Sequence, residues 1–555
     1  MFSKKITRLF IGLARGLRFI ESLPITLGSW VLAMTSWIIV RFFLENWIAG
    51  FPLTSMQVPS FFFNLLLSFS CTALIFLWFL SRMARVSIET AAKVSVFAFV
   101  GILIPPIVDF FVFQGQSVKS FYIFDGLTHL IGRYLTFFGD RPDFGITAGV
   151  RVEVALFTLL SAGYVWWKTH NRNRSLAAAI GAYTIFFFLG TLPSWITLLF
   201  LGWQKGFLAI TGVDVAGFFL TPEQLFLLPF PDFLATLSVK MALFYAVFLA
   251  FLGGIGSWKF FPREWWSMVR NARFPQLFYH SGLVCVGMAL ALVFNKSSLE
   301  VTFFTGLAFI VIQMAVWMAW LTSVVVNDCF DIKIDQQTNS SRPLPHNIFT
   351  LTTYRALGGI FFVLSLVFAM IVSLKIGILL LIYQVFAWIY SAEPLRLKRF
   401  PIIGTFVSSV ASWLLVVMGF LLISPDTHLE RFPFVLQWFF FLAFTLVLPI
   451  KDLKDIAGDR ANNVWTIPVL LGEQRARIFI GVSIWLMYGL SISVFRESRL
   501  LIPAFLCGWF SYEAMQRAKN SEKGKLTFRT LPWWILGGVF CYGLFVVYFA
   551  MKVVS

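Results

Sequence analysis

Long apolar runs, separated by short polar segments, recur along the whole chain. A helix needs roughly 20 mostly apolar residues to cross the hydrocarbon core of a membrane, and about fifteen runs approach or exceed that length. This pattern predicts an all-α integral membrane protein with about fifteen transmembrane helices. The runs lie at residues 24–43, 61–81, 94–113, 147–167, 175–202, 236–258, 276–295, 301–326, 350–372, 376–391, 402–423, 432–450, 478–495, 500–516 and 531–551.

One further apolar stretch, 119–138, contains Asp125, His129 and Arg133. Ionisable side chains are costly in the middle of a membrane, so a run that carries three of them is a poor spanning segment. We interpret this stretch as an interfacial or re-entrant segment.

The composition supports the membrane assignment. Hydrophobic residues make up 59% of the chain and charged residues 13%, about half of the ~25% that is usual in soluble domains. The net charge of +18 does not indicate nucleic-acid binding, because the basic residues are spread over short segments between apolar runs. With the N-terminus in the cytoplasm, most of them fall on the cytoplasmic side, as expected for a cell-membrane protein.

The chain divides into three parts on this pattern. Residues 1–258 carry six of the predicted spans, residues 274–555 carry nine, and the segment 259–273 between them is basic, aromatic and too polar to span. We therefore predict an N-terminal polytopic membrane domain of unknown function, a cytoplasmic basic linker and a C-terminal nine-helix domain. The five cysteines show no metal-ligand spacing, so we expect neither zinc nor a disulfide framework.

A first Asp-rich segment, NDCFDIKID, follows the predicted span 301–326. Asn327, Asp331 and Asp335 recur every fourth residue, and Asp328 lies next to the first of them. Residues at this spacing share one face if the helix continues. The segment therefore predicts a row of oxygen ligands at a helix end.

A second Asp-rich segment, KDLKDIAGDR, follows the predicted span 432–450. Asp452, Asp455 and Asp459 are spaced for one helix face. Carboxylates gathered this closely resist ionising together, and Mg²⁺ removes that conflict by binding carboxylates together with substrate phosphates. Two such clusters on one side of the membrane suit a diphosphate held between metal ions.

A third segment, YSAEPLRLKR, ends another predicted span on the same side. Its Tyr390 and Ser391 hydroxyls and its Arg396 and Lys398 cations are groups that bind phosphate, as is Arg342 in the SSRPLP segment. Basic residues at this place also serve simply to anchor the cytoplasmic side.

Together, NDCFDIKID with RPLP, YSAEPLRLKR, and KDLKDIAGDR with TIPVLLG resemble the UbiA superfamily of membrane prenyltransferases. The resemblance covers about residues 270–555 and does not extend to the N-terminal half. It implies a nine-helix bundle that uses Mg²⁺ to transfer a polyprenyl group from its diphosphate to an acceptor. Arg273-Phe274-Pro275 is a loose match to the Arg-Pro that precedes the first helix of the family.

The resemblance also implies the roles of individual residues. The catalytic residues are expected to be Asp331, Asp335, Asp455 and Asp459. The metal ligands are expected to be Asn327, Asp328, Asp331, Asp335, Asp452, Asp455 and Asp459. Arg396 and Lys398 lie where the family places cations near the diphosphate. From their chemistry and position, Arg342, Tyr390 and Ser391 are also expected to contact it.

The expected reaction partners are a polyprenyl diphosphate and an aromatic or lipid-like acceptor. The acceptor could be a quinone precursor, a lipid-linked glycerol phosphate, a sugar phosphate or a tetrapyrrole, and the sequence does not choose between them. The alternative class is a polytopic transporter or scaffold without prenyl transfer. Transport sites usually lie near the membrane midplane on broken helices, whereas these carboxylates lie at predicted helix ends.

Overall fold

The computed structural model describes residues 12, 14–48, 50, 58–114, 122–139, 146–223, 225–226, 233–295, 301–424, 429–461, 463–518 and 526–554. Within these ranges the chain is helical and contains no β-strand, which confirms the all-α prediction. Thirteen helices of the described part are long and apolar enough to cross a membrane, and one bent pair brings the number to 14. The predicted count of about fifteen is therefore approximate.

The described residues form two compact units. The first lies within Met1–Glu223 and Phe230–Phe261, and the second lies within Gln224–Pro229 and Pro262–Ser555. The three-part division of the sequence stays a prediction.

Besides a helical stretch at residues 14–22, the first unit contains ten helices in its described residues. They are α1 (Leu27–Ile48), α2 (Val58–Ala84), α3 (Ile88–Ala98), α4 (Ile104–Val112), α5 (Leu127–Leu135), α6 (Ala148–Thr169), α7 (Arg172–Gly190), α8 (Leu192–Lys205), α9 (Gly212–Leu220) and α10 (Phe233–Phe260). A 3₁₀ turn, Phe99–Leu103, joins α3 to α4. Helix α2 packs against α1, α3, α6 and α10, and α6 packs along α7.

The predicted single span at 175–202 is wrong in its detail, because α7 and α8 meet at a bend of 67°. Pro193 occupies the first turn of α8. It has no backbone N–H, so it cannot continue the helical hydrogen bonds of α7. The Thr191 hydroxyl donates a hydrogen bond at 2.6 Å to the Phe187 carbonyl, which lies in the last turn of α7. The structure thus replaces one predicted straight helix by a broken pair.

The stretch predicted as interfacial or re-entrant forms only the nine-residue helix α5 in its described part. Asp125 there pairs with Arg133. Residues 119–121 of this stretch lie outside the described residues.

The second unit contains nine long helices in its described residues. They are α12 (Phe274–Asn295), α13 (Phe303–Phe330), α15 (Leu351–Val372), α16 (Leu374–Ser391), α17 (Pro401–Leu422), α18 (Phe434–Val447), α21 (Glu473–Phe495), α22 (Leu501–Arg517) and α23 (Leu531–Val554). Short helices α11 (Pro262–Asn271), α14 (Ile332–Thr338), α19 (Ile456–Ala461) and α20 (Ile467–Leu471) lie between or before them. A 3₁₀ segment, Leu448–Asp455, joins α18 to α19.

These nine helices close on themselves. Each of the nine packs against the next long helix along the chain, and the last one, α23, packs against the first, α12. Helices α12 and α17 approach closely through two glycines: a Cβ on Gly287 would lie 2.0 Å from the Val416 carbonyl oxygen, and a Cβ on Gly419 would lie 2.0 Å from that of Val284. Small residues allow such close backbone contact between membrane helices. Helix α22 has only 17 residues, which is short for a span.

Candidate active site

The first Asp-rich segment continues the helical path at the end of α13. The Asp331 amide donates to the Asn327 carbonyl at 3.0 Å, and the Asp335 amide donates to the Asp331 carbonyl at 2.8 Å. These two i to i+4 hydrogen bonds span the break between α13 and α14 at Asp331, whose φ of −104° and ψ of 13° depart from helical values. Asn327, Asp331 and Asp335 thus keep a helix-like spacing across that break.

Asp331 is held by the cations of the third segment. Arg396 donates through Nη2 to its Oδ1 at 2.7 Å, and the Lys398 ammonium pairs with its Oδ2. Lys398 also donates to the Asn327 side-chain oxygen at 3.1 Å, and the Ser391 hydroxyl donates to that same oxygen at 3.3 Å. These five residues, which belong to two separate segments of the sequence, thus form one network.

Arg396 reaches Asp331 from an unusual backbone conformation. Its φ of +39° lies in the left-handed region, which a side chain with a Cβ rarely adopts. Its Nε is buried and has no hydrogen-bond partner among the described residues. An unsatisfied buried donor costs on the order of 1–3 kcal/mol, so an anionic oxygen beside it would be favoured.

Asp335 is buried and paired with Arg342. The Arg342 Nη1 lies 2.5 Å from its Oδ2 and 3.4 Å from Oδ1 of Asp328. Burial raises the pKa of Asp335 to about 6, and the carboxylates of Asp328 and Asp331 act in the same direction while Arg342 opposes them. Although burial alone would lower it, the pKa of Arg342 is raised, because the carboxylates of Asp328, Asp335 and Asp455 surround it.

Asp328 is completely buried and receives donors from three other elements. Asn271 donates at 2.6 Å, Tyr354 at 2.9 Å and Arg273 at 3.2 Å, in addition to the distant Arg342 contact. Its two oxygens are therefore engaged by protein groups. The predicted role of Asp328 as a metal ligand stays a prediction.

Sequence reasoning missed Asn271 and Tyr354 entirely. Tyr354 lies in the first turn of α15 and is completely buried, so its hydroxyl requires a polar partner. The available sequence signal was a tyrosine at the start of an apolar run. Nothing in the sequence indicated which residue that partner would be.

The second Asp-rich segment begins as a 3₁₀ helix. In this geometry residues i and i+3 lie directly above each other, so Asp452 and Asp455 lie on one side of Leu448–Asp455. Asp459 follows in α19, which packs against α14 of the first segment. Asp459 lies within electrostatic range of Asp331 and Lys398, so the two Asp-rich segments face a common region.

A small pocket lies beside Asp452. It is lined by Tyr390, Lys398 and Lys451 among other residues. The Lys451 ammonium donates to the Tyr390 hydroxyl at 2.9 Å and to the Ser408 hydroxyl at 3.2 Å. Lys451 is a further cation at the site that was assigned no role there from the sequence.

Residues 282–536 match the model of the UbiA prenyltransferase family. This segment is a UbiA prenyltransferase family domain. The resemblance that the sequence motifs indicated is thereby confirmed, and the described helices with their family make the chain an integral membrane protein.

Individual relatives match only part of the chain. Digeranylgeranylglyceryl phosphate synthase of Methanosphaera stadtmanae is 29% identical over 164 residues, which are 30% of this chain and 58% of that protein. Homogentisate phytyltransferase of Synechocystis sp. is 28% identical over 210 residues, which are 34% of this chain and 67% of that protein. The chain thus spans less than two thirds of the length of the first of these relatives.

A solved structure of a UbiA homolog from Archaeoglobus fulgidus bound to GPP and Mg²⁺ is also similar. It is 15% identical, and the match covers 51% of this chain and 99% of that one with a TM-score of 0.37.

The carboxylates of the second Asp-rich segment have the chemistry of ligands for a divalent cation. Asp452, Asp455 and Asp459 lie within electrostatic range of one another, and their only ion pair among the described residues joins Lys454 to Asp455 at 4.0 Å. Lysines near these carboxylates act on them at longer range, and carboxylate oxygens without a close ion pair are suitable ligands for Mg²⁺. No three acidic, histidine or cysteine side chains in the described ranges converge as a ready-made metal site.

Proposed function

We propose that the UbiA domain transfers a polyprenyl group from its diphosphate to an acceptor nucleophile. The observation that carries this proposal is the gathering of Arg342, Arg396 and Lys398 on the carboxylates of the first Asp-rich segment, close to those of the second. Cations and carboxylates in alternation suit a diphosphate held with divalent metal. A transporter or scaffold would not require this arrangement at a helix end.

The proposed roles follow from the contacts. Arg396 and Arg342 would bind the diphosphate oxygens through guanidinium groups, and Lys398 would add a point charge. Ser391 and Tyr390 would orient the diphosphate through their hydroxyls.

We assign Mg²⁺ to Asp331, Asp335, Asp455 and Asp459, with Asn327 and Asp452 as further oxygen ligands. Bound Mg²⁺ would supply Lewis-acid stabilisation of the departing diphosphate.

The chemical step is a substitution at the allylic carbon. The C–O bond to the diphosphate breaks with its electron pair, and the acceptor oxygen or ring carbon forms the new bond and loses a proton. The fixed cations stabilise charge that develops on the leaving group, without having to reorganise during the reaction. The apolar helices around the site would exclude water from the reacting carbon.

The relatives' names suggest the donor class more clearly than the acceptor class. They refer to a digeranylgeranylglyceryl phosphate in one case and to a phytyl group on homogentisate in the other. Both contain isoprenoid chains. We therefore propose an isoprenoid diphosphate donor, with either an aromatic ring or a lipid hydroxyl as the acceptor.

We also propose that the protein resides in the plasma membrane with its N-terminus and both Asp-rich segments on the cytoplasmic side. The distribution of basic residues between the apolar runs supports this orientation. A water-soluble diphosphate would then leave into the cytoplasm.

The test uses purified full-length protein with labelled geranylgeranyl diphosphate and two acceptors, homogentisate and a glycerol-phosphate lipid. We expect Asp331→Ala and Asp455→Ala to abolish transfer, and EDTA to abolish it reversibly. Lys333→Ala is the matched control, because Lys333 lies in α14 between Asp331 and Asp335 but is exposed. Full transfer in either Asp variant, or in EDTA, would refute the proposed metal site.

A further inference from the structure

Helix α11 lies in the chain between two candidate membrane spans. It begins at Pro262, two residues after the span Leu234–Phe260 ends, and it finishes at Asn271, three residues before the span Phe274–Phe294 begins. Its ten residues, at 1.5 Å each, are about 15 Å long, which is half of the ~30 Å hydrocarbon core. Helix α11 therefore cannot cross the membrane, and its attachment to two span ends places it at the membrane boundary.

One face of α11 packs against other helices of the second unit. Met268 contacts the buried cluster of Val325, Leu344 and Tyr354. Val325 lies in α13 and Tyr354 in α15. The inner face thus anchors α11 to the helices beside the first Asp-rich segment.

The opposite face of α11 is exposed and carries Arg263, Trp266 and Arg270. Their spacing of three and four residues puts them on one side of the helix, and Trp266 is 51% exposed. None of the three forms a hydrogen bond or an ion pair with another described residue. Glu264, the one acidic residue of the helix, is less exposed and pairs with neither arginine there.

This face has the chemistry of a helix surface that contacts lipid headgroups. Tryptophan is enriched at membrane interfaces, because its ring is apolar and its N–H is polar. An arginine guanidinium can hold a phosphate through two parallel hydrogen bonds. Arg263 and Arg270 lie seven residues apart, or about 10 Å along the helix, so each can hold a separate headgroup.

The charge of the face selects among headgroups. Two arginines that lack carboxylate partners attract a lipid with a net negative headgroup. A zwitterionic headgroup also carries a cation, which these arginines repel. Anionic phospholipid therefore complements the face better than zwitterionic phospholipid does.

We propose that the Arg263–Trp266–Arg270 face of α11 binds the headgroups of anionic phospholipids at the membrane surface. The arginines hold the phosphates, and the Trp266 ring lies among the upper parts of the acyl chains. This binding does not depend on prenyl transfer.

The lipid-binding helix is directly connected to the candidate active site. Asn271, the last residue of α11, donates to Asp328 at 2.6 Å and to the Tyr354 hydroxyl at 3.1 Å. Arg273 follows and donates to Asp328 at 3.2 Å. Lipid that holds the outer face therefore fixes the position of two donors to Asp328. This consequence for transfer rests on the proposed function.

The test is photo-crosslinking of the full-length protein in phosphatidylcholine vesicles that contain a diazirine-bearing phosphatidylglycerol. We expect labelled peptides from α11, with competition by unlabelled phosphatidylglycerol. Arg263→Gln and Arg270→Gln should each lower the labelling of α11 about fivefold, whereas Arg263→Lys and Arg270→Lys, which keep the charge, should lower it much less. Arg475→Gln is the matched control, because Arg475 is an exposed arginine of α21, and it should leave the labelling of α11 unchanged.

A probe with a phosphatidylcholine headgroup tests the selectivity. Labelling of α11 that is equally strong with this probe would overturn the proposal. So would labelling that the double variant Arg263→Gln/Arg270→Gln leaves unchanged while it elutes as folded protein.

Transfer assays in the same vesicles test the connection to the active site. Phosphatidylglycerol should raise the transfer rate several-fold in the natural protein and much less in the double variant. If α11 is labelled but no vesicle supports transfer, the proposed function fails and the lipid-binding face stands. Transfer that proceeds without labelling of α11 has the opposite meaning, so the two failures are distinguishable.

Discussion

The two Asp-rich segments of the UbiA domain differ in how their carboxylates are neutralised. Each aspartate of the first segment, Asp328, Asp331 and Asp335, lies within 3.4 Å of at least one Arg or Lys nitrogen. In the second segment, the described residues place no cation within ion-pair distance of Asp452 or Asp459, and Asp455 has only Lys454 at 4.0 Å. One segment is held in place by the protein, while the other presents carboxylates that repel each other.

This difference indicates a division of labour. Carboxylates that repel one another gain most from a divalent cation, because the ion removes the repulsion and supplies the missing charge. Carboxylates that already have cationic partners gain less, but their partners are arranged in advance for a diphosphate. We therefore expect the second segment to dominate metal affinity and the first to dominate diphosphate binding.

The largest expected effect on transfer comes from removing a negative charge from the second segment. Asp459→Asn should reduce transfer on the order of 10³-fold or more, because it would remove a proposed metal ligand at the leaving group. It should leave thermal stability unchanged or raise it, since it also removes repulsion from Asp452 and Asp455. Transfer assays across a Mg²⁺ titration, together with a melting curve in EDTA, measure both effects. A variant that loses stability in EDTA would contradict the assignment.

Removing the Asp328 carboxylate of the first segment should instead lower the stability of the protein and leave its Mg²⁺ dependence unchanged. Asp328→Ala leaves Arg273, Asn271 and Tyr354 without their acceptor, and breaking a buried pair in this way costs about 3–5 kcal/mol. The Mg²⁺ concentration for half-maximal transfer should stay unchanged in the protein that remains folded. Tyr354→Phe removes the hydrogen bond that Tyr354 donates to Asp328 and the one that it accepts from Asn271, and it should cost about 1.5–3 kcal/mol. A shift in Mg²⁺ dependence in Asp328→Ala would make Asp328 a metal ligand after all.

The contrast between the segments could be predicted only in part. Periodicity placed Asn327, Asp331 and Asp335 on one side of a helix, and their i to i+4 backbone bonds follow that spacing. The donors to Asp328 come from α11, α15 and the segment between α11 and α12, which lie 26 to 57 residues away in the chain. Such pairings depend on how helices pack, and the periodicity of one segment contains no information about them.

The same limit applies to the local breaks in the helices. Length and hydropathy predicted where apolar helices lie, because a bilayer imposes both on any span. Pro193 and Pro449 were visible signals for the bend after α7 and for the 3₁₀ segment after α18. Proline is tolerated in membrane helices when neighbours satisfy the freed backbone groups, so its presence alone did not decide between a kink and a straight helix.

The cations of the third segment offer a more moderate test. Arg396→Lys keeps the charge beside Asp331 but loses the planar guanidinium and the unpaired Nε. We expect KM for the diphosphate to rise about tenfold, with a smaller change in kcat, because Lys binds phosphate only as a point charge. Steady-state kinetics at saturating Mg²⁺ measure the two constants separately. Arg399→Lys is the matched control, because Arg399 lies three residues away and its side chain is 43% exposed, and it should change neither constant.

The smallest expected effect comes from the backbone that positions Lys398. Gly404 lies in the first turn of α17, and a Cβ there would lie 3.1 Å from the Lys398 Cα and 3.2 Å from the Leu397 carbonyl oxygen. Gly404→Ala should therefore push the 397–398 segment by a few tenths of an ångström and weaken the contacts of Lys398 with Asn327 and Asp331. We expect a loss of transfer of about two- to fivefold, since even small misplacements of positioning groups are costly. Gly359→Ala is the control, because a Cβ on Gly359 in α15 meets nothing within 4 Å. If both variants lose the same activity, the position of Lys398 is not what limits the first segment, and the proposed division between the two segments loses that support.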